Sequence, residues 1–309
     1  LDLKQPENVS KVLDLVSNAD VFVQNYRPGV ADRLGFSLES VLKANPKIIY
    51  CSISAYGGEG PIGHRPAYDH VVQAMSGIMS TTGPEDAGPV KVGAPYIDYA
   101  TGLNAAFAIM AGLRERDRTD NHQVVDVAML DTALNLMANN LVTVANTGTE
   151  LPKLGNEAAS RAPSSGCFVT ADGSLIMLAA NNERQFELLC SAVGHPEWSS
   201  DSRWRDPIVR SKNQEALREE LDGVFLERSG EEWESLLDEV GVPSSRVRQL
   251  GEVISEGQPE ARNLLGELKV GKNGTPVQLP AIGFRLNGDS LRPLRAPKGV
   301  GEDTGRYLG

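Results

Sequence analysis

Apolar positions in the first half of the chain recur with two alternating periods. Over residues 7–18, Val9, Val12, Leu13 and Val16 fall three or four apart, which predicts an amphipathic helix. A short apolar run at 21–23 follows and is broken by Asn25-Tyr26-Arg27-Pro28-Gly29. Residues 30–44 read as helix in two pieces, split near Gly35. The run KIIYCSI (47–53) reads as a strand, and the turn-rich 55–66 follows it. A helix is expected over 68–79, a loop over 80–89, and a long helix after Asp98. Residues 124–129 read as a short buried strand or the beginning of a helix, leading into a helix over 130–144. Apolar strands alternating with helices predict βαβ units and a parallel sheet, hence an α/β fold.

After Gly148 the pattern changes. Residues 151–165 read as a polar linker rich in Ser, Ala, Pro and Gly. Residues 166–180 contain two apolar runs joined at Ala171-Asp172-Gly173, a hairpin signature. Helices are expected around 184–193, 211–226 and 231–240, which makes this region a smaller α+β domain. Residues 274–290 have strand and turn character. Residues 295–305 have no core of their own and must pack on another part of the chain.

Composition narrows the functional classes. The 309 residues are 40% hydrophobic, enough to bury a sizeable core, and carry a formal net charge of −11. That charge argues against bulk nucleic-acid or anionic-membrane binding, while leaving room for a phosphate-bearing ligand held by a few local cations. Cys51, Cys167 and Cys190 are widely spaced, without a CxxC pair, and read as reduced, cytoplasmic thiols. The four histidines show no metal-ligand spacing, so no metal site is expected. No apolar run is long enough to span a bilayer, and no secretory leader is expected. The chain begins at Leu1, already within a helical pattern.

Asp98 is the residue on which function turns. It stands between the apolar Tyr96-Ile97 and a long run containing Leu103, Ala106, Phe107, Met110 and Leu113. An aspartate before such a run is a favoured helix N-cap. The same position near a helix N-terminus also orients a carboxylate that could attack an acyl group. The pattern allows either role.

Several segments together resemble one family. They are DVFVQNYRPGVADRLGF (20–36), NPKIIYCSISAYGGEGP (45–61), AYDHVVQAMSGIMSTTG (67–83), the stretch around Asp98, and the terminal APKGVGEDT. In these the chain resembles the class III CoA-transferases, which include formyl-CoA, carnitine-CoA and bile-acid-CoA transferases and relate to the α-methylacyl-CoA racemases. The resemblance implies a Rossmann-like large domain over 1–150, a linker at 151–165, a small domain over 166–264, and a segment 265–309 returning to the large domain. It implies an interlocked homodimer, and a first strand ahead of Leu1 with part of the site. It also implies Asp98 as covalent nucleophile, since Asp98 follows Tyr68-Asp69 at the family's separation. CoA binding is implied for Asn25, Tyr26, Arg27, Arg33 and Leu34, with Leu1 and Lys4, and Tyr68 and Asp69 are placed beside it. CoA and its thioesters are then substrates, with small dicarboxylate donors such as succinyl-CoA expected and no permanently bound cofactor. The family's glycine-rich loop corresponds to LGNEAASRAPSSG (154–166), where Gly155 and Asn156 could serve.

Two other readings stand beside transfer. A racemase of this kind places histidine where this chain has Tyr68, and tyrosine is a poor base at neutral pH. His70 is two positions on and points to another helix face. A non-catalytic CoA-binding protein is the second alternative.

Overall fold

The apolar runs of the N-terminal half form a three-stranded parallel sheet in the computed structural model, which describes residues 1–158, 161–271 and 273–308. Its strands are β1 (Val21–Gln24), β2 (Ile49–Ser54) and β3 (Gln123–Ala128), in the order β1-β2-β3. The register sets Gln24 opposite Ser52, and Ser54 opposite Ala128. All three carboxyl ends therefore lie on one side of the sheet. The expected parallel pairing is present, and of residues 124–129 the first five are strand while Met129 opens the next helix.

Helix α1 (Pro6–Val16) precedes β1; α2 (Val30–Arg33) and α3 (Leu38–Ala44) cross from β1 to β2. Their break lies at Gly35, which has φ of 88°; a Cβ there would stand 2.8 Å from the Val9 side chain. Val16, Ala31, Phe36, Val41, Ile48 and Tyr50 form the core beneath, with Val9, Val12 and Leu13 packed against it.

The second crossover carries α4 (Asp69–Met75), α5 (Ile78–Thr81) and the 24-residue α6 (Tyr96–Thr119). A continuous helix was expected over 68–79. Gly77, with φ of 90°, divides it. The helix expected over 130–144 is likewise two, α7 (Met129–Leu136) and α8 (Ala138–Thr147). At the join the Met137 N–H is shared between the Ala133 and Leu134 carbonyls, which tightens the turn.

By contacts the chain divides into Leu1–Gly155 with Asp303–Gly309, and Asn156–Glu302. Within the second unit β4 (Ser165–Val169) and β5 (Leu175–Ala179) form the expected antiparallel hairpin. The helices over it are α9 (Glu183–Ala192), α10 (Pro207–Lys212), α11 (Gln214–Phe225) and α12 (Gly230–Glu239). Trp204, Trp233, Phe168 and Phe225 are fully buried between them, and the Trp233 indole donates to the Phe225 carbonyl at 3.0 Å. A third strand, β6 (Ser244–Arg246), joins β5. Its sequence is polar, so apolar periodicity could not reveal it. A further hairpin pairs Leu265–Val270 with Thr275–Pro280. No cysteine is paired, and among the described residues no helix is long and apolar enough to cross a membrane.

An ion cluster holds β6 to α12. Glu234 accepts from the two terminal Arg248 guanidinium nitrogens at 2.7 Å and from the Arg246 backbone N–H at 3.0 Å. Led by the Arg248 hydrogen bonds, these donors lower its carboxyl to about 2 from an ordinary 4.5. A lowered carboxyl stabilises the fold above its unfolded value and loses that contribution as pH falls through the folded one. Urea midpoints of the wild type are therefore expected to fall more steeply than those of Glu234→Gln between pH 4.5 and about 2. Parallel curves would show that the cluster contributes nothing.

Candidate active site

Helix α6 begins without a cap of its own. Pro95 occupies the cap position and has no side-chain acceptor. The acceptor comes from α4: Asp69 Oδ2 takes the N–H groups of Ile97 at 2.8 Å and Asp98 at 3.1 Å. Asp69 Oδ1 takes the side-chain amide of Gln73. Asp69 is buried at 7% exposure, and its bonds to Gln73 and to the Ile97 N–H are buried, while that from the Asp98 N–H is partly buried. Capping of this kind contributes roughly 0.5–2 kcal/mol.

The helix expected after Asp98 begins two residues earlier, at Tyr96, so Asp98 is the third residue of α6 and not its N-cap; Asp69 fills the capping role instead. Among the described residues nothing donates to the Asp98 carboxylate, and its side chain lies in a cleft. Desolvation first, and the negative charge of Asp69 second, raise its carboxyl above the usual aspartate range.

The cleft has a volume near 640 Å³ and opens at the carboxyl ends of the three strands, where open parallel sheets place their ligands. Asn25 to Pro28 reach it from the end of β1, Ser54 and Ala55 from β2, and Met129 from the end of β3. The β1 loop is shaped by Gln24. Its amide donates to Ser52 Oγ at 2.8 Å, and its oxygen accepts the Tyr26 N–H at 2.9 Å. Gly29, with φ of 76°, then turns the chain into α2. Among the described residues no group of His, Cys, Asp and Glu side chains is arranged as metal ligands would be.

The sequence model of CoA-transferase family III matches residues 1–304. The chain belongs to CoA-transferase family III. It is 34% identical over 311 residues to the succinyl-CoA:glutarate CoA-transferase of Mus musculus, an alignment covering 100% of this chain and 70% of that protein. It is 34% identical over 283 residues to the acetyl-CoA:oxalate CoA-transferase of Acetobacter aceti, covering 90% and 72%. The crystal structure of a CAIB/BAIF family protein from Brucella suis matches with a TM-score of 0.81 at 30% identity, over 96% of this chain and 77% of that one. That of Rv3272 from M. tuberculosis matches with a TM-score of 0.88 at 28% identity, over 100% and 82%. The chain is accordingly a class III acyl-CoA:carboxylate CoA-transferase.

Within this family III chain, Asn25, Tyr26, Arg27, Tyr68 and Asp98 line one cleft. Tyr68 is 73% exposed, and its ring stacks with that of His70, which does not line the cleft. The other expected residues lie elsewhere. Leu34 packs on the core around Phe36. Arg33 is exposed on α2, and Leu1 and Lys4 are exposed ahead of α1. Asp69 is turned inward onto α6. Of the stretch expected as a glycine-rich loop, Ala159 and Ser160 lie outside the described residues; the Gly155 N–H donates to the Gly83 carbonyl at 3.1 Å.

Sequence reasoning missed Arg65, which lines the cleft as a second guanidinium beside Arg27, and Thr101 and Gly102, one turn along α6 from Asp98. Arg65 sits in the turn-rich 55–66, where its charge beside Pro66 was the available signal. Asp69→Asn keeps the cap's shape and removes its charge. The Asp98 carboxyl should then titrate at lower pH, as followed by NMR of its carboxyl carbon. An unmoved titration would leave desolvation as the sole cause.

Proposed function

We propose that this CoA-transferase moves CoA from an acyl-CoA donor to a carboxylate acceptor with Asp98 as nucleophile. One observation carries the reading: the Asp98 carboxylate, relieved of capping, lies without a protein donor in a cleft lined by Arg27 and Arg65. Its raised proton affinity makes the carboxylate a better nucleophile.

An Asp98 oxygen attacks the thioester carbonyl, the C–S bond breaks, and CoA leaves as thiolate from an acyl-aspartyl anhydride. The thiolate attacks the Asp98 carbonyl carbon. The donor acid departs as a carboxylate carrying an Asp98 oxygen, leaving an aspartyl-CoA thioester. The acceptor carboxylate displaces CoA thiolate from that thioester, forming a second anhydride. Thiolate attack on the acceptor's carbonyl releases the new acyl-CoA and restores the Asp98 carboxylate. Charge balances at each step without an oxidant or reductant.

For CoA, Arg27 and Arg65 supply phosphate partners at the cleft, with Arg33 and Lys4 on the surface outside it. Tyr26 offers a face for adenine and Asn25 an amide, with the exposed Leu1 flanking apolar parts. Tyr68 in the cleft, where a racemase would need a base, supports transfer over racemisation. Small dicarboxylates are the favoured partners, because one relative acts on succinyl-CoA and glutarate. The parallel sheet supports a Rossmann-like large domain. Tyr99, Leu103, Phe107 and Met110 make a stripe on α6 that is 65–76% exposed, which supports a homodimer. The unpaired cysteines suit the cytoplasm.

Incubation with succinyl-CoA and hydroxylamine, followed by peptide mapping, should place a hydroxamate on Asp98. Asp98→Ala should lower transfer by at least about a thousandfold, as loss of a covalent nucleophile does. An unmodified Asp98 together with full activity in Asp98→Ala would refute the mechanism.

A further inference from the structure

A buried glutamine stands behind the capping aspartate. Gln73 is 1% exposed on α4, one turn beyond Asp69 and on the same face. Its Oε1 accepts the backbone N–H of Val92 at 2.9 Å, and its Nε2 donates to Asp69 Oδ1. Chemistry fixes this orientation. A backbone N–H can only donate, so it selects the amide oxygen and turns the NH₂ toward Asp69. Asp69 thus meets three donors, the Gln73 amide and the N–H groups of Ile97 and Asp98. The result is a continuous path from the loop before α6, through Gln73 and Asp69, to the backbone of Asp98.

We propose that Gln73 is a positioning residue for Asp98, acting through Asp69 to fix the first turn of α6; this rests on Asp98 being the nucleophile. Asp69 can cap α6 only while its own carboxylate is held in one rotamer. Gln73 is the one side chain among the described residues that donates to it. It also ties down the approach to α6, because Val92 lies four residues before Tyr96. Rotation of Asp69 would leave two N–H groups of the first turn without an acceptor and would move the attacking oxygen. Displacement by about 1 Å is enough to slow a positioned reaction by around a hundredfold.

Few other charged groups surround this path. Asp69 and His70 lie on α4, Asp98 at the start of α6, Asp131 on α7, and Glu85, Asp86 and Lys91 in the loop between α5 and α6, while α5 has none. His70 is exposed against Tyr68, Asp131 acts on Asp126, and the Lys91 ammonium donates to the Val92 and Gly93 carbonyls. A carboxyl placed at position 73 would therefore titrate chiefly against Asp69.

Two variants distinguish positioning from packing, with succinyl-CoA and glutarate as the assay pair. Gln73→Leu removes the donor at every pH. Gln73→Glu keeps the shape and the acceptor for Val92, but donates to Asp69 only when protonated, which a neighbouring carboxylate favours at lower pH. Both should lower kcat by about 10- to 100-fold with donor KM within about threefold, the pattern of a misplaced reacting group. The kcat of Gln73→Glu relative to wild type should rise as pH falls from about 8.5 to about 6, while that of Gln73→Leu stays flat. Unchanged kcat in both variants, or a flat ratio for Gln73→Glu accompanied only by a lower Tm, would overturn the role. Full turnover by Asp98→Asn would instead refute the nucleophile reading on which it rests.

Discussion

The capping of α6 by Asp69 is the interaction on which the site depends. A 24-residue helix starts at a proline cap that supplies no acceptor, and two of its first N–H groups, that of Ile97 buried and that of Asp98 partly so, would otherwise lack a partner. A carboxylate from another helix meets both. The cap comes from α4, and Asp98, inside the first turn of α6 rather than at its N-cap, keeps its carboxylate out of the capping role. The two aspartates are thereby separated into a structural one and one that faces the cleft.

Topology supplies the rest of the geometry. Parallel pairing brings the ends of β1, β2 and β3 to one edge, and the α6 N-terminus arrives at the same edge because α6 leads into β3. The loop after β1 is held by Gln24 and turned by Gly29, so Tyr26 and Arg27 face the same cleft as Asp98. The helix dipole favours a negative charge there, whereas desolvation first and the Asp69 charge second oppose it. The balance leaves a carboxyl raised above the usual range, suited to repeated attack and release.

Much of this was legible in the chain. Apolar runs marked β1, β2 and the hairpin of β4 with β5, and glycine marked the break between α2 and α3. The residues that carry the family resemblance also marked the cleft, with Asn25, Tyr26, Arg27, Tyr68 and Asp98 brought together from three separate segments. What stayed hidden depends on tertiary contact. Asp69 caps a helix that begins 27 residues later, and no local pattern announces such a bond. Met137 breaks a helix without glycine or proline, and β6 is held by Glu234 rather than by apolar alternation. Arg65 lies in a turn-rich stretch without periodicity, and Leu34 is spent in the core rather than at a ligand.

The path of one oxygen atom tests the central claim most directly. With an acceptor acid labelled by ¹⁸O in both carboxylate oxygens, each turnover should leave one labelled oxygen on the enzyme when the second anhydride is opened. Proteolysis and mass spectrometry should then find that oxygen on the Asp98 carboxylate. Continued turnover with unlabelled Asp98, or with the label on another residue, would contradict the account.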